Sequence, residues 1–279
     1  MTELTRPIMR YHGGKWKLAP WIISYFPPHR VYTETFGGAA SILLRKPRAY
    51  AEIYNDLDGE IVNVFRVLRD HDKAVELSRQ IALTPFARDE FDLSYEASDN
   101  DIEQARRTIL RTFAGFGSGA MNSTKPTGFR SNSTRAGTTP AHDWAHFPDA
   151  LPAIIERLAG VVIENRPAVE IIRQHDSPET LHYVDPPYVH STRKERQAKN
   201  YRHEMTDDQH RELADVLHDC AGMVVLSGYD CELYRDLYGD WTRFDRSTFA
   251  DGAKARTESL WLNRAAELSR HTLFEAPHA

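Results

Sequence analysis

The chain has 279 residues, enough at roughly 150 per domain for about two units or for one domain with a large insertion. Its 41% hydrophobic and 27% charged residues are those of a soluble globular protein with a sizeable core, and its two cysteines, Cys220 and Cys231, are too few for a disulfide framework and fit a reducing cytoplasm. A net charge of −5 excludes a uniformly basic nucleic-acid coat, and no apolar run long enough for a signal peptide or a membrane span is present.

In chain order, Arg10-Tyr11-His12-Gly13-Gly14-Lys15 comes first. Two glycines between an aromatic and a lysine suit a loop that wraps a ligand, or an ordinary turn before a helix at 16–25. Residues 31–36 (VYTETF) read as a strand that runs into Gly37-Gly38 and then into helix-like AASILLRK, 39–46. Paired glycines let the backbone approach a ligand closely. The spaced triplet of a dinucleotide fingerprint is missing, so no pyrophosphate is indicated. A second strand, 49–54, is stopped by Asn55-Asp56. Asp56 lies where an acid after the second strand hydrogen-bonds a ribose, or it caps the next helix. Beyond Gly59, the spacing of Ile61, Val64, Phe65 and Leu68 predicts a helix.

From 86 to 160 the strand signals fade. Residues 101–113 read as helical, and 115–141, rich in Gly, Ser, Thr, Asn and Pro, as a loop long enough to be functional or disordered. No acid occurs between 104 and 141, yet Arg106, Arg107, Arg111, Lys125, Arg130 and Arg135 do. A second basic stretch, 191–204, includes Arg193 and Lys194. One such run is ordinarily a solvated face. Two, with Phe113, Phe116 and Phe129 nearby, favour a polyanion-binding surface. On this reading at least one of Arg106, Arg107 and Arg111 contacts phosphate, while Arg130 and Arg135 sit in a glycine-flanked loop able to enter a groove, where arginine pairs with guanine. His142 and His146 stand four apart between Pro140 and Pro148, without a third ligand, and read as plain loop rather than metal site.

The α/β pattern returns with strands at 161–164, 181–185, 223–227 and 258–262. Between them, 206–220 is an amphipathic helix with a capping box, Thr206 and Gln209. Asp185-Pro186-Pro187-Tyr188 closes the 181–185 strand at its carboxyl end, where open α/β sheets bind ligands. An exocyclic amine on a base is a poor nucleophile, because its lone pair is delocalised into the ring. A carboxylate and a carbonyl in a proline-stiffened turn can accept its two hydrogens and point the lone pair at an electrophile. The tyrosine offers a flat face to an unpaired base. Taken alone, the four residues would also suit a plain turn.

These segments, in this order, resemble the Dam-like class of DNA adenine-N6 methyltransferases, in which the target-recognition segment lies between the cofactor motif and D-P-P-Y. RYHGGK, TETFGGAAS, YNDLDGEIVNVFRVL, LHYVDPPY, SGY at 227–229 and ESLWLN at 258–263 carry the likeness over nearly the whole chain. The resemblance implies a Rossmann-like α/β core, residues 1–85 and 161–279, with a mainly helical or irregular recognition insert at 86–160. It implies S-adenosylmethionine as cofactor, S-adenosylhomocysteine as product and no metal. Tyr11, Lys15, Phe36, Gly37, Gly38, Asp56, Asn165 and Asp185 would bind the cofactor. Asp185, Pro186, Pro187 and Tyr188 would hold and stack a flipped adenine, and Arg10 would reach toward double-stranded DNA. A cognate restriction endonuclease is a candidate partner. The insert lacks the stretch typical of GATC readers, so another target sequence is expected.

Other chemistries fit less well. Carbon-5 methylation of cytosine needs a nucleophilic thiol, commonly after proline, whereas Cys220 and Cys231 follow aspartates. Cytosine-N4 methylation more often has serine where Asp185 stands. A regulator that only binds nucleic acid would have no need of both Asp56 and Asp185, and an RNA or protein substrate is a further alternative.

Overall fold

The computed structural model describes residues 4–117, 127–133, 137–192, 202–250 and 254–271. Seven strands form one sheet: β1 (Val31–Glu34), β2 (Ala51–Asn55), β3 (Val161–Glu164), β4 (Thr180–Val184), β5 (Met223–Gly228), β6 (Thr242–Ala250) and β7 (Lys254–Leu262). Their order is β3-β2-β1-β4-β5-β7-β6. The first five run parallel, and β7 pairs antiparallel with both β5 and β6. The order reverses between β1 and β4. This is the switch point of a doubly wound Rossmann-like sheet, where a crevice opens beyond the strand carboxyl ends.

The strands alternate between two cores, as a period of two requires of a sheet covered on both faces. Leu181, Tyr183, Met223, Val225, Leu260 and Leu262 face one cluster, and Val184, Val224, Leu226 and Trp261 face the other. The first cluster is covered by α1 (Ala19–Ile23), α2 (Gly59–Arg69), α3 (His71–Leu83) and, from the middle of the chain, α5 (Asp101–Ala114) and α7 (Leu151–Leu158). The second is covered by α8 (Ala168–His175), α9 (Asp207–His218) and α10 (Glu232–Leu237). Remaining helices are α4 (Arg88–Leu93), α6 (Pro140–Ala145) and α11 (Arg264–His271). None of the described helices is long and apolar enough to cross a membrane.

The residues 140–148, expected to be loop, instead start α6, because Thr139 caps it and Pro140 occupies its first turn. Its His142 and His146 rings lie 6.5 Å apart. The helix expected over 39–46 is a succession of tight turns. Gly38 at φ 47° and Ala40 at φ 51° are left-handed, which prevents the hydrogen-bond ladder from propagating. The turns still bury Ile42, Leu43 and Leu44. Behind them Glu52 accepts two hydrogen bonds from Arg157 (2.6 and 3.0 Å) and one from Lys46 (2.7 Å), tying α7 and the turn segment to β2.

Candidate active site

A cleft of about 950 Å³, its open mouth included, lies at the carboxyl ends of β1, β2 and β4, within the range of small-molecule sites. Tyr11 to Lys15 form one wall, and Thr35 to Ala39, Asp56 to Asp58, Asp185 and Pro187 supply the sheet end. The glycine loop, the two glycines, Asp56 and the D-P-P-Y turn are therefore neighbours, although up to 170 residues separate Lys15 from Asp185.

Lys15 is the centre of the polar side. It is 4% exposed, and its ammonium donates to Asp185 Oδ1 (2.8 Å), the Tyr188 hydroxyl (2.8 Å) and the Gly13 carbonyl (3.2 Å). Glu258 Oε1 lies 3.4 Å away and also accepts from Ser227 (2.8 Å). Burial pushes the pKa of both Asp185 and Glu258 upward against the pull of Lys15. Glu34, buried at the end of β1, accepts from the Tyr32 hydroxyl and the Leu43 amide, and desolvation carries it up to about 8. The Tyr188 ring is 7% exposed, with Tyr229 stacked on it at 4.1 Å and 20°.

The other half of the cleft is organised by Asp56. Its carboxylate accepts the Gly38 and Asp58 amides, both at 2.8 Å, and burial raises it to about 6. The cap of α2 is not Asp56 but Asp58, which accepts from Glu60 N. Asn55 binds both the Thr35 and the Arg166 carbonyls, linking the ends of β1 and β3. A side chain at Gly37 would strike the Tyr54 ring (2.1 Å), and one at Gly38 the Tyr11 ring (2.7 Å). The glycines thus make room for two aromatic rings, and they themselves line the cleft beside Tyr11.

The family model of the D12 class N6 adenine-specific DNA methyltransferase matches residues 11–250, from the glycine loop through β6. The chain belongs to that family. None of the curated proteins compared with it matches. As a D12-class member it is an enzyme that methylates N6 of adenine, with DNA as its substrate.

Several residues expected to touch ligand or DNA are committed elsewhere. Asn165 donates to the Asp56 carbonyl (2.7 Å), outside the cleft lining, and so steadies Asp56 from behind. Arg106, 7% exposed, bonds Glu103, Glu90 and Thr84, and Arg107 bonds Glu103 and the Glu96 carbonyl. Arg111 is buried, pairing Glu60 and donating to the Ser94 carbonyl. Arg130, equally buried, donates to the Phe113 carbonyl (3.0 Å). These guanidiniums hold the insert together, each spending donors on partners within the protein. Arg10 lies beside the end of α5, its amide donating to Thr112 Oγ1. Lys125, Arg135, Arg193 and Lys194 lie outside the described residues.

What the sequence reading of this D12-class chain missed is mostly acidic and aromatic: Glu34, Glu258 and Tyr229. Glu258 stood in the quoted ESLWLN segment, but only its meeting with Lys15 gives it meaning. Arg202 to Met205, also unforeseen as cleft residues, complete the lining. At the far end of the sheet Asp176, His182 and Cys220 bring a carboxylate, an imidazole and a thiol within 4.8 Å of one another. Asp176 accepts the Ala221 and Gly222 amides, His182 pairs with Thr33 and Cys220 donates to the Val216 carbonyl. Burial lowers the imidazole to about 4 and raises the thiol to about 12, which favours neutral hydrogen-bonding forms and a polar knot joining β1, β4 and β5.

Proposed function

We propose that this protein transfers the methyl group of S-adenosylmethionine to adenine N6 in duplex DNA, as a Dam-like member whose core, residues 1–85 and 161–279, carries a recognition insert at 86–160. The observation that carries the reading is Asp185. It ends β4 beside the switch point, one carboxylate oxygen held by Lys15.

The cleft has the chemistry to hold the cofactor. Two buried oxygens on its lining residues, Thr35 Oγ1 and Asp58 Oδ2, have no hydrogen-bond partner among the described residues, a cost that a bound polar ligand removes. Phe36, Ile42 and Met205 offer apolar surface to an adenine, Asp56 accepts ribose hydroxyls, and Tyr11 and Lys15 close the methionine end. Lys15 faces two buried carboxylates, Asp185 and Glu258, and a cationic ligand nearby would balance the second. When bound, S-adenosylmethionine supplies an electrophilic methyl group on its sulfonium.

The chain's own residues then do three things. The Asp185 carboxylate and the Pro186 carbonyl accept the two amine hydrogens, aiming the nitrogen lone pair. The same carboxylate, its pKa held up by burial, takes the proton that N6 loses as the nitrogen–carbon bond forms. Tyr188 stacks the flipped base, for which Tyr229 shifts off its face. Among sequence-derived candidates for DNA contact, Arg10, Lys125, Arg135, Arg193 and Lys194 are retained.

Labelled methyl groups from S-adenosylmethionine should accumulate as N6-methyladenine in duplex DNA, with base-resolution mapping giving the target sequence. Label appearing instead in RNA, protein or cytosine overturns the reading.

Asp56 adds a pH signature. Two ribose hydroxyls donate to its ionised form, so cofactor affinity should fall as the pH drops through about 6, where the carboxylate protonates. Asp56→Ala should weaken cofactor binding by ~1.5–3 kcal/mol and remove the pH step. Calorimetry at pH 5 and pH 7.5 checks both; a step that persists in the variant takes Asp56 out of the site.

A further inference from the structure

Beyond the glycine loop and the strand ends, the cofactor cleft has a third wall made by Arg202, His203, Glu204, Met205 and Gln209. This strap is anchored differently at its two ends. At the carboxyl end, Met205 packs into the second core cluster and Thr206 opens α9 with a complete capping box. At the other end, Arg202 Nη1 donates to Asp58 Oδ1 (3.0 Å) and Nη2 pairs with Glu60 Oε1 (3.0 Å). Both acids are held in place on α2. Asp58 is buried and caps α2, so it is fixed; Glu60 is also paired with Arg111. Arg202 itself is 37% exposed, and an ion pair so placed is weak enough to open thermally and to feel salt.

We propose that Arg202 is a clasp: its ion pairs to Asp58 and Glu60 hold residues 202–206 across the cleft and set how long the cofactor and its demethylated product stay bound. The ligand class is an adenosyl sulfonium amino acid and the corresponding thioether. The inference rests on the cleft being the cofactor site. It makes Arg202 a positioning residue, acting through the strap and not on the methyl group. A methyltransferase exchanges spent for fresh cofactor at every turnover, and a wall closed by a reversible ion pair permits that exchange without unfolding either helix.

The test uses S-adenosylhomocysteine displaced from the full-length protein in a rapid-mixing experiment. Arg202→Ala should raise the dissociation rate about 3- to 30-fold at low ionic strength, consistent with two ion pairs made by a partly exposed guanidinium. Arg202→Lys should recover part of the difference. Added salt should accelerate release from the wild type and leave Arg202→Ala nearly unchanged, and the melting midpoint without ligand should be the same for all three. An unaltered dissociation rate in Arg202→Ala overturns the clasp. So does a lowered midpoint accompanied by fast release that lysine does not reduce, since that marks general destabilisation. Wild-type protein that fails to bind the thioether at all overturns the cofactor assignment instead, so the two failures are separable.

Discussion

Replacing Asp185 by alanine is expected to lower methyl transfer to DNA by ~100- to 1000-fold while leaving the protein folded. The amine loses its charged acceptor and the departing proton its nearest base. The fold survives because Lys15 keeps Glu258, the Tyr188 hydroxyl and the Gly13 carbonyl as partners. Asp185→Asn preserves shape and one acceptor oxygen but cannot take the proton, so it should be nearly as slow. Single-turnover rates at saturating cofactor, beside a circular dichroism melt, decide the matter. Turnover within a few-fold of wild type in Asp185→Ala would falsify the proposed chemistry.

The second large effect belongs to Lys15, and it falls on stability. Lys15→Met leaves Asp185 and Glu258 buried near one another without their common cation. Breaking a buried pair in this way costs ~3–5 kcal/mol. Both acids then have folded-state pKa values raised further above their unfolded values, since burial already raises them in the presence of Lys15. A group raised in this sense favours the folded state at low pH and loses that contribution as pH climbs through the folded value. The deficit of Lys15→Met should therefore be smaller at pH 5 than at pH 8. Adding Glu258→Gln should return part of the loss at pH 8. Denaturant titrations at the two pH values check this; a pH-independent deficit would mean that Lys15 contributes packing rather than charge compensation.

The electrostatics of the insert show what a linear charge pattern leaves out. The acid-free run from 104 to 141 looked like a cationic face. In the fold, Glu103 lies one turn before Arg106 and Arg107, while Glu90 and Glu60 arrive from α4 and α2. Charge neutralisation is a through-space property, and counting along the chain cannot find partners that are tens of residues away.

Much of the core follows from short-range physics. The alternating apolar runs placed β3 at Val161–Glu164 and the other parallel strands within a residue or two, and the Thr206–Gln209 box opened α9 where it was expected. Phe36-Gly37-Gly38, Asp56 and D-P-P-Y also marked segments that meet, because each follows a strand whose carboxyl end faces the crevice. How they meet depends on long-range packing. Strand β6 pairs with β7 along its length without a strong apolar alternation of its own. The 39–46 segment gave up its helix because two left-handed residues sit at its start. Lys15, which looked like a cofactor handle, is held by Asp185, Glu258 and Tyr188, residues from β7 and the turn after β4. Local propensity acts over a few residues, so it can name the strands and their ends. The partner of a buried charge is chosen by sheet order and packing, which bring together side chains that the sequence keeps far apart.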